Sequence, residues 1–555
     1  MSGKVVAGRL WSMAPRPDVF RFSPRPNQAH SIHWRPWGES AFQEAIRMDK
    51  PVFLVISSSW CQWCHIMDET TLSEPTIITI LNRDYIPVRV DSDLRPDVNL
   101  RYNQNGWPSV VILSPEGEIL WGGVYVPPQQ MLYYLGHVRR YYSEHRQEIA
   151  EQVRSLQDSR YQRLTCPLAG ESPARQQWSS CAEKEKVLNL LERLPAEAGN
   201  VLRELYDAEN GGFLIHPHLK FPHPEALELL LMLANQGQPD MLEMVCYSLQ
   251  QMHDGGLWDH EGGGFFRYSA ASDWSTPHTE KMLEENVALL RVLVLAAQAT
   301  QDQRWYEQAK QLLFYLNTAL WQADAGIFSG SQSADEEYYE PGPYSRMSRQ
   351  APCVDTAVYT CWNARAISAY LLAAQVLQQP ALSTMALRAL EYLCTHMWHP
   401  DGGVCHYRMN GYAALPGQLA DQVWLMRALL DAYDMQANGR YLDLAIDLMH
   451  YLCRELQDCS NGLFYDYSLD AASIGRLLWR EQPLVENAIA AECLLRMAAY
   501  SGQQELRDAG LRVLSGCLEK YRRTGIRGVI YAAVVARAFE KGWLSNASRP
   551  LNGTA

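Results

Sequence analysis

Two cysteines separated by two residues are the clearest candidates for chemistry in this chain. Cys61 and Cys64 stand in the segment Trp60-Cys61-Gln62-Trp63-Cys64-His65, and Trp107-Pro108 follows further along the chain. A pair at this spacing can form a redox-active disulfide or supply two ligands to zinc, and C-x-x-C-H is also the attachment motif of a c-type haem. The surrounding sequence has to distinguish these three kinds of site.

The elements predicted around the pair place it between a buried strand and a helix. Val52-Phe53-Leu54-Val55-Ile56 is an apolar run of strand length, and the residues after the motif, to about Leu81, are predicted to be helical with a break at Pro75. A cysteine at a helix N-terminus faces unpaired N–H groups and the positive end of the helix dipole, which stabilise its thiolate. We therefore expect Cys61 to be the attacking thiol and Cys64 the resolving thiol.

Haem attachment and zinc binding have less support in the sequence. The first 30 residues contain no apolar export signal, and the strand–motif–helix context already explains the position of the pair. Zinc requires further ligands, and the chain has no second C-x-x-C or H-x3-H pair. A metal site that uses His65, and a domain whose thiols are unused, stay open as alternatives. We predict no metal and no cofactor.

The first 160 residues resemble thioredoxin in the order of strand, W-C-x-x-C motif, helix and a later proline before a β-hairpin. A cis Pro108 would turn the preceding backbone toward the dithiol and present it to a substrate peptide. Thioredoxin carries a buried aspartate on the strand before the motif, whereas this chain has Val55 at that position. Auxiliary roles are expected among five neighbouring side chains: Trp63, His65, Asp68, Asp91 and Trp107.

Length and composition exclude several classes of protein. A chain of 555 residues is expected to contain at least two domains, and 47% apolar with 20% charged residues is typical of a globular protein. The net charge of -13 argues against a nucleic-acid partner, and no apolar run is long enough for a membrane span. The 13 cysteines are mostly scattered among apolar neighbours, which favours reduced thiols and a cytoplasmic location.

From about residue 186 the pattern changes to long helices with apolar periodicity. Between them, short turns of glycine and apolar residues recur six times, roughly 50 to 75 residues apart, which leaves room for two helices in each interval. The turns are Gly211-Gly212-Phe213, Gly262 to Phe266, Gly326-Ile327-Phe328, Gly402-Gly403-Val404, Gly462 to Tyr465 and Gly528 to Tyr531. This recurrence predicts a closed (α/α)6 toroid, with an irregular α-superhelix as the alternative.

Glycosidases and sugar epimerases with a toroid of this kind bind carbohydrate in its central cavity. Hydrolysis would require two carboxylates flanking the glycosidic bond, and epimerisation a pair of bases on opposite faces of the sugar. No spacing in the sequence singles out such a pair. The candidate pocket residues lie near the glycine turns: Asp259, His278, Glu280, Lys281, Asp335 and Asp421.

These observations predict an α/β domain followed by an all-α domain. The expected organisation is an irregular segment at 1–30, a thioredoxin-like domain at 31–160, a linker at 161–185, an (α/α)6 six-hairpin glycosidase-like domain at 186–545 and a tail at 546–555.

Motifs along almost the whole chain resemble the family of spermatogenesis-associated protein 20 and its bacterial relatives. They are Trp34 to Trp37, Cys61 to Met67, Arg89 to Asp91, Arg95 to Val98, Asn105 to Pro108, Lys220 to Pro222, Gly262 to Tyr268, Pro277 to Leu283, Trp362-Asn363 and Glu486-Asn487. The resemblance implies the same two folds in the same order. This chain departs from the family motif P-H-F-E-K-M-L-Y-D-N at Thr279, Glu284 and Glu285.

The sequence therefore supports three hypotheses about function. The first is an intracellular thiol–disulfide oxidoreductase that exchanges with a protein dithiol or disulfide, with the toroid selecting the partner. The second is a toroid that binds or converts a small sugar-like ligand, with the dithiol domain in a structural or redox-sensing role. The third is a scaffold without catalysis.

Overall fold

The computed structural model describes residues 20–164, 180–216, 219–340, 346, 349–399, 401–469 and 473–544. Most of the predicted N-terminal segment, the centre of the predicted linker and the predicted tail at 546–555 lie outside these residues. No helix within the described ranges is both long enough and apolar enough to cross a membrane. The chain forms two compact units: residues up to 59, 63–93 and 98–151 make the first, and residues 60–62, 94–97 and from 152 onward make the second.

The first unit contains a four-stranded sheet and the helices that pack on it. In chain order the elements are α1 (Glu39–Met48), β1 (Val52–Ser57), α2 (Gln62–Glu69), α3 (Pro75–Asp84), β2 (Ile86–Asp91), α4 (Pro96–Tyr102), β3 (Ser109–Leu113), β4 (Ile119–Gly123), α5 (Pro128–Glu144) and α6 (Arg146–Leu164). The helix α6 continues beyond residue 151 into the second unit.

The sheet has the strand order β2-β1-β3-β4, with β1 parallel to β2 and antiparallel to β3. All six residues of β1 are buried, as the uninterrupted apolar run predicts for a central strand. The helical segment predicted after the dithiol is broken as expected, because Pro75 begins a new helix that Glu74 caps through the backbone N–H groups of Thr76 and Ile77. The thioredoxin-like fold predicted for this part of the chain is confirmed.

Over the described residues that follow α6, the second unit consists mainly of thirteen helices and short strands. The helices that follow α6 are α7 (Cys181–Leu205), α8 (Pro224–Asn235), α9 (Pro239–Gly255), α10 (Leu283–Thr300), α11 (Gln303–Tyr315), α12 (Glu336–Tyr339), α13 (Thr360–Val376), α14 (Pro380–His396), α15 (Leu419–Gln436), α16 (Gly439–Glu455), α17 (Leu484–Ser501), α18 (Gln504–Thr524) and α19 (Val529–Glu540). The strands are β5 (Tyr268–Ser269), β6 (Pro277–His278), β7 (Lys281–Met282), β8 (Trp321–Gln322), β9 (Ile327–Phe328), β10 (Ser331–Gln332), β11 (Val354–Asp355), β12 (Val358–Tyr359), β13 (Cys405–Met409) and β14 (Tyr412–Pro416).

Six of these helices form a closed inner ring. Each of α8, α10, α13, α15, α17 and α19 packs on the next, and α19 packs on α8. An outer helix backs each inner one, and the first and last long helices of the unit, α7 and α19, pair to complete the sixth hairpin. The inner helices are apolar on most of their surface, as helices packed on several sides must be. The (α/α)6 toroid predicted from the glycine turns is confirmed.

A repeated side-chain clamp joins the glycine turns to the inner ring. The fourth residue of α10, α13, α15 and α17 is an amide, respectively Asn286, Asn363, Gln422 and Asn487. Each amide accepts a hydrogen bond from a backbone N–H just after a glycine turn and donates one back to the carbonyl of the same residue, Phe265, Phe328, Val404 and Phe464 in turn. The clamp satisfies both backbone groups of a buried residue and fixes the turn at the start of the inner helix.

Candidate functional site

The dithiol lies where β1 ends and α2 begins. Cys61 immediately precedes α2, and Cys64 lies in its first turn. Ile56, near the C-terminal end of β1, pairs with Ser109, the first residue of β3. Pro108, which precedes Ser109, therefore lies at the same end of the sheet as the segment that follows β1 and carries the dithiol. The Trp107–Pro108 peptide bond is cis. Sequence spacing and strand register therefore bring the thiol pair and the proline to one end of the sheet.

The side chains around the dithiol differ in exposure. Cys61 and Cys64 are both buried, whereas Trp63 is exposed and packs its ring against Tyr125, with the centroids 5.2 Å apart. The Nε2 atom of His65 lies 3.0 Å from the backbone oxygen of Ser59. Burial lowers the pKa of His65, so this ring is neutral at physiological pH.

The carboxylates near the dithiol are engaged in ion pairs. Asp68, on α2, is bound by Arg89 of β2 through two hydrogen bonds of 2.8 Å, and Asp91 lies 3.3 Å from Arg21. Val55, at the position of the thioredoxin aspartate, is fully buried. A carboxylate held by a buried guanidinium is a poor proton carrier, because protonation would leave the cation without its counter-charge.

In the second unit, Asp259 and Lys281 form a buried ion pair at 2.6 Å. Lys281 also donates to the carbonyl of Gly263, and Arg346 binds the other oxygen of Asp259 at 2.8 Å. Burial lowers the pKa of Lys281 to about 8, against the opposing effect of Asp259. These contacts give the pair a structural role in anchoring the second glycine turn.

The segments of three other predicted pocket residues meet, because the backbone N–H of Asp335 donates to the hydroxyl group of Thr279, between His278 and Glu280, at 3.1 Å. His278 stacks on Tyr268, with the ring centroids 4.3 Å apart. Glu280 is buried, with an oxygen 3.7 Å from a terminal nitrogen of Arg267. Asp335 caps α12 by accepting a hydrogen bond from the backbone N–H of Tyr338.

Asp421 is fully buried and forms a dyad with a residue that the sequence did not indicate. One of its oxygens lies 2.8 Å from Nδ1 of His406, and the other accepts the backbone N–H of Cys361 at 2.9 Å. His406 lies on β13 and Asp421 in the first turn of α15. An aspartate that orients a histidine in this way is a common arrangement for proton transfer. The two residues are 15 positions apart, and no motif links them.

Two cavities lie inside the helical ring. The first, of about 50 Å³, is lined by residues from all six inner helices, and the second, of about 210 Å³, by residues from five of them. Charged side chains from the ring walls, among them Glu228, Arg291, Arg427 and Arg537, face these cavities. The six candidate pocket residues predicted from the sequence are not among the lining residues of either cavity.

Comparisons with known proteins agree with this architecture. Residues 25–160 match the family described as Thioredox_DsbH, protein of unknown function DUF255. Human spermatogenesis-associated protein 20 is 26% identical over 89% of this chain and 77% of its own length. Over most of its length the chain is similar to spermatogenesis-associated protein 20 of human, rat and mouse.

Solved structures of sugar epimerases share the fold of the second unit. Cellobiose 2-epimerase from Spirochaeta thermophila aligns with 66% of this chain and 99% of its own, at 14% identity and a TM-score of 0.53. Cellobiose 2-epimerase from Bacillus thermoamylovorans covers 61% of this chain and 88% of its own, at 13% identity and a TM-score of 0.50. At these identities the likeness establishes the fold alone.

One position where this chain departs from the spermatogenesis-associated protein 20-like motif has an unusual environment. Glu285, in the first turn of α10, stands where the motif has an aspartate. Its Oε1 atom lies 3.6 Å from the Nε atom of Arg267. Within the described residues, the Oε2 atom of Glu285 is buried without a hydrogen-bond partner. Burial raises the pKa of Glu285 to about 7, against the effect of Arg267. The sequence marked Glu285 only as a departure from the motif. It did not indicate the buried oxygen or the raised pKa of this side chain.

Proposed function

We propose that this protein is a thiol–disulfide oxidoreductase in which Cys61 attacks and Cys64 resolves. The observation that carries the proposal is the placement of Cys61 directly before α2, at the end of the central strand, with Pro108 preceding the neighbouring strand. We further propose that the toroid selects the partner.

The proposed reaction is a two-electron exchange. The thiolate of Cys61 attacks one sulfur of a substrate disulfide, the substrate S–S bond breaks, and one substrate thiolate leaves. The thiol of Cys64 then gives its proton to the substrate thiolate released first, through solvent, and attacks the Sγ atom of Cys61. The Cys61–substrate bond breaks, and the second substrate thiolate leaves and takes a proton from solvent. The substrate disulfide is reduced to two thiols, and the Cys61–Cys64 pair is oxidised to a disulfide.

Reduction of insulin disulfides in the presence of dithiothreitol tests the proposal. We expect Cys61→Ser to abolish the protein's acceleration of this reaction, and Cys64→Ser to accumulate a mixed disulfide between Cys61 and the substrate. Cys353→Ser, at an exposed cysteine outside the motif, is the matched control and should behave as the wild type. Equal rates for the wild type and both motif variants would rule out the redox role.

Glu285 supports a second candidate function in the toroid. A carboxyl group that titrates near neutral pH is suited to proton transfer, and the guanidinium of Arg267 beside it could hold a negatively polarised substrate oxygen. The two solved structures that share the fold are named cellobiose 2-epimerases, and cellobiose is a sugar. A small sugar is therefore the class of ligand to test. A sugar that binds the folded protein should raise its melting temperature, and Glu285→Gln should reduce that rise. If no sugar in a broad panel shifts the melting temperature, this second function is rejected.

A further inference from the structure

The two cavities inside the helical ring share one set of wall residues. Arg291, Ser368, Arg427 and Arg537 line both of them. Three guanidinium groups and a hydroxyl group therefore stand between the cavities, and a guanidinium group offers only donors. Burying several hydrogen-bond donors together is unfavourable unless each of them has an acceptor.

Two of the three arginines donate hydrogen bonds to carboxylates. Arg291 donates to Glu228 at 2.9 Å, and Arg537 donates to Glu228 at 2.8 Å and to Glu492 at 2.5 Å. Burial opposes ionisation of Glu228, but the adjacent Arg291 and Arg537 hold its pKa well below the usual range. These contacts use both oxygens of Glu228 and one oxygen of Glu492.

Arg427 differs from its two neighbours. The residue is 8% exposed, and among the described residues its Nε atom is buried without a hydrogen-bond partner. The nearest carboxylate oxygen is Oε1 of Glu492, 3.2 Å from Nε and outside the favourable direction, and the ring of Trp424 lies 5.3 Å from the guanidinium carbon. Burial lowers the pKa of Arg427, and the like charges of Arg537 and Arg291 lower it further, against the effect of Glu492.

We propose that Arg427 is the central ligand of an oxyanion-binding site inside the ring, which takes inorganic phosphate or the phosphate group of a small phosphorylated molecule. The guanidinium fork can donate two parallel hydrogen bonds to one phosphate group. An anion at this position would supply an acceptor for the Nε atom of Arg427 and would offset the mutual repulsion of the three arginines.

The larger cavity provides a route to this position from solvent. Its lining includes Asp434 and Lys541, whose side chains are about half exposed, as well as the buried Arg427. Its volume of about 210 Å³ leaves space beside a phosphate group for a small organic substituent. The site is independent of the dithiol, so it can be tested whether or not the redox proposal holds.

Equilibrium dialysis of the full-length protein against radiolabelled phosphate, at fixed ionic strength, measures the binding directly. We expect saturable binding of one phosphate per chain to the wild type. Arg427→Met, which keeps an unbranched side chain and removes the guanidinium group with its charge, should abolish it. Arg440→Met removes an arginine from an exposed ion pair with Glu391 and should leave binding unchanged.

Arg427→Lys provides a second variant in case Arg427→Met does not fold. It keeps the charge but loses the fork, so we expect at least a tenfold weaker affinity in a folded protein. The proposal is overturned if the wild type binds no phosphate, or if the folded Arg427 variants bind it as tightly as the wild type does.

Competition experiments distinguish inorganic phosphate from a small phosphorylated molecule as the natural ligand. Glucose 6-phosphate, glucose and unlabelled phosphate are each added against the bound radiolabelled phosphate. Displacement of the label by glucose 6-phosphate at lower concentration than by unlabelled phosphate would show that the larger cavity contributes contacts to an organic substituent. Displacement only by inorganic phosphate would assign the site to the free anion. Displacement by glucose alone would contradict a site that recognises the phosphate group.

Discussion

Both oxygens of the Asp68 carboxylate accept hydrogen bonds from the two terminal nitrogens of Arg89, each at 2.8 Å. Asp68 lies on the helix that carries Cys64, and Arg89 lies on the strand beside the one that leads into the dithiol. Both side chains are buried, and the backbone N–H of Ser23 also donates to Asp68. The pair therefore ties the dithiol helix to the sheet, and Asp68 is a positioning residue in this arrangement.

We expect Asp68→Asn to lower the free energy of unfolding of the first unit by about 3–5 kcal/mol, because it leaves Arg89 buried without a counter-charge. The double variant Asp68→Asn, Arg89→Met should recover part of this loss, since it removes the uncompensated charge. Urea denaturation followed by fluorescence of the tryptophans measures both. Equal stability of the single variant and the wild type would show that the pair does not hold the helix.

The raised pKa of Glu285 predicts that the free energy of unfolding depends on pH, and that Glu285→Gln removes this dependence. The unfolded chain loses this proton near pH 4.5 and the folded protein near pH 7, so the folded state is progressively disfavoured as the pH rises through that window. Glu285→Gln should therefore stabilise the protein by up to about 3 kcal/mol at pH 8 and have little effect at pH 4. Glu337→Gln, at an exposed carboxylate, is the control and should change stability little at either pH.

The side-chain clamp at the start of α13 can be broken with a change of one atom. In Asn363→Asp the Oδ1 acceptor for Phe328 stays, but the two hydrogen bonds that Nδ2 donates to the carbonyls of Phe328 and Tyr359 are lost. A buried carboxylate next to two carbonyls should reduce the free energy of unfolding by about 3 kcal/mol or more. The same substitution at the exposed Asn189 should be nearly neutral, and thermal denaturation compares the two variants.

The dyad of Asp421 and His406 gives a further comparison. Asp421→Ala leaves the backbone N–H of Cys361 buried without its acceptor and removes the partner of His406, which should cost about 2–3 kcal/mol. Asp421→Asn keeps an acceptor for Cys361 and should cost less. If the alanine and asparagine variants unfold at the same temperature, the bond to Cys361 contributes little.

Much of the fold could be predicted because the patterns that encode it are local. The apolar run of β1, the break at Pro75 and the recurrence of glycine turns each reflect the geometry of one element or one hairpin. The pairing of α7 with α19, which completes the ring, joins helices more than 300 residues apart and has no local signal. The amides at the fourth position of four inner helices were visible in the sequence, but their common role depends on the turns that they bind.

The sequence by itself determined the dithiol, its place between a strand and a helix, and the proline that precedes the neighbouring strand. Spacing of a few residues is enough for these features, because strand and helix geometry fix where such residues lie. The tertiary structure decided which charged groups have partners. It engages Asp68 with Arg89 and joins Asp421 to His406, and among the described residues it leaves one buried atom of each of two side chains, Oε2 of Glu285 and Nε of Arg427, without a hydrogen bond. Burial and the charges brought near by distant segments set these environments, and neither quantity can be obtained from the order of residues alone.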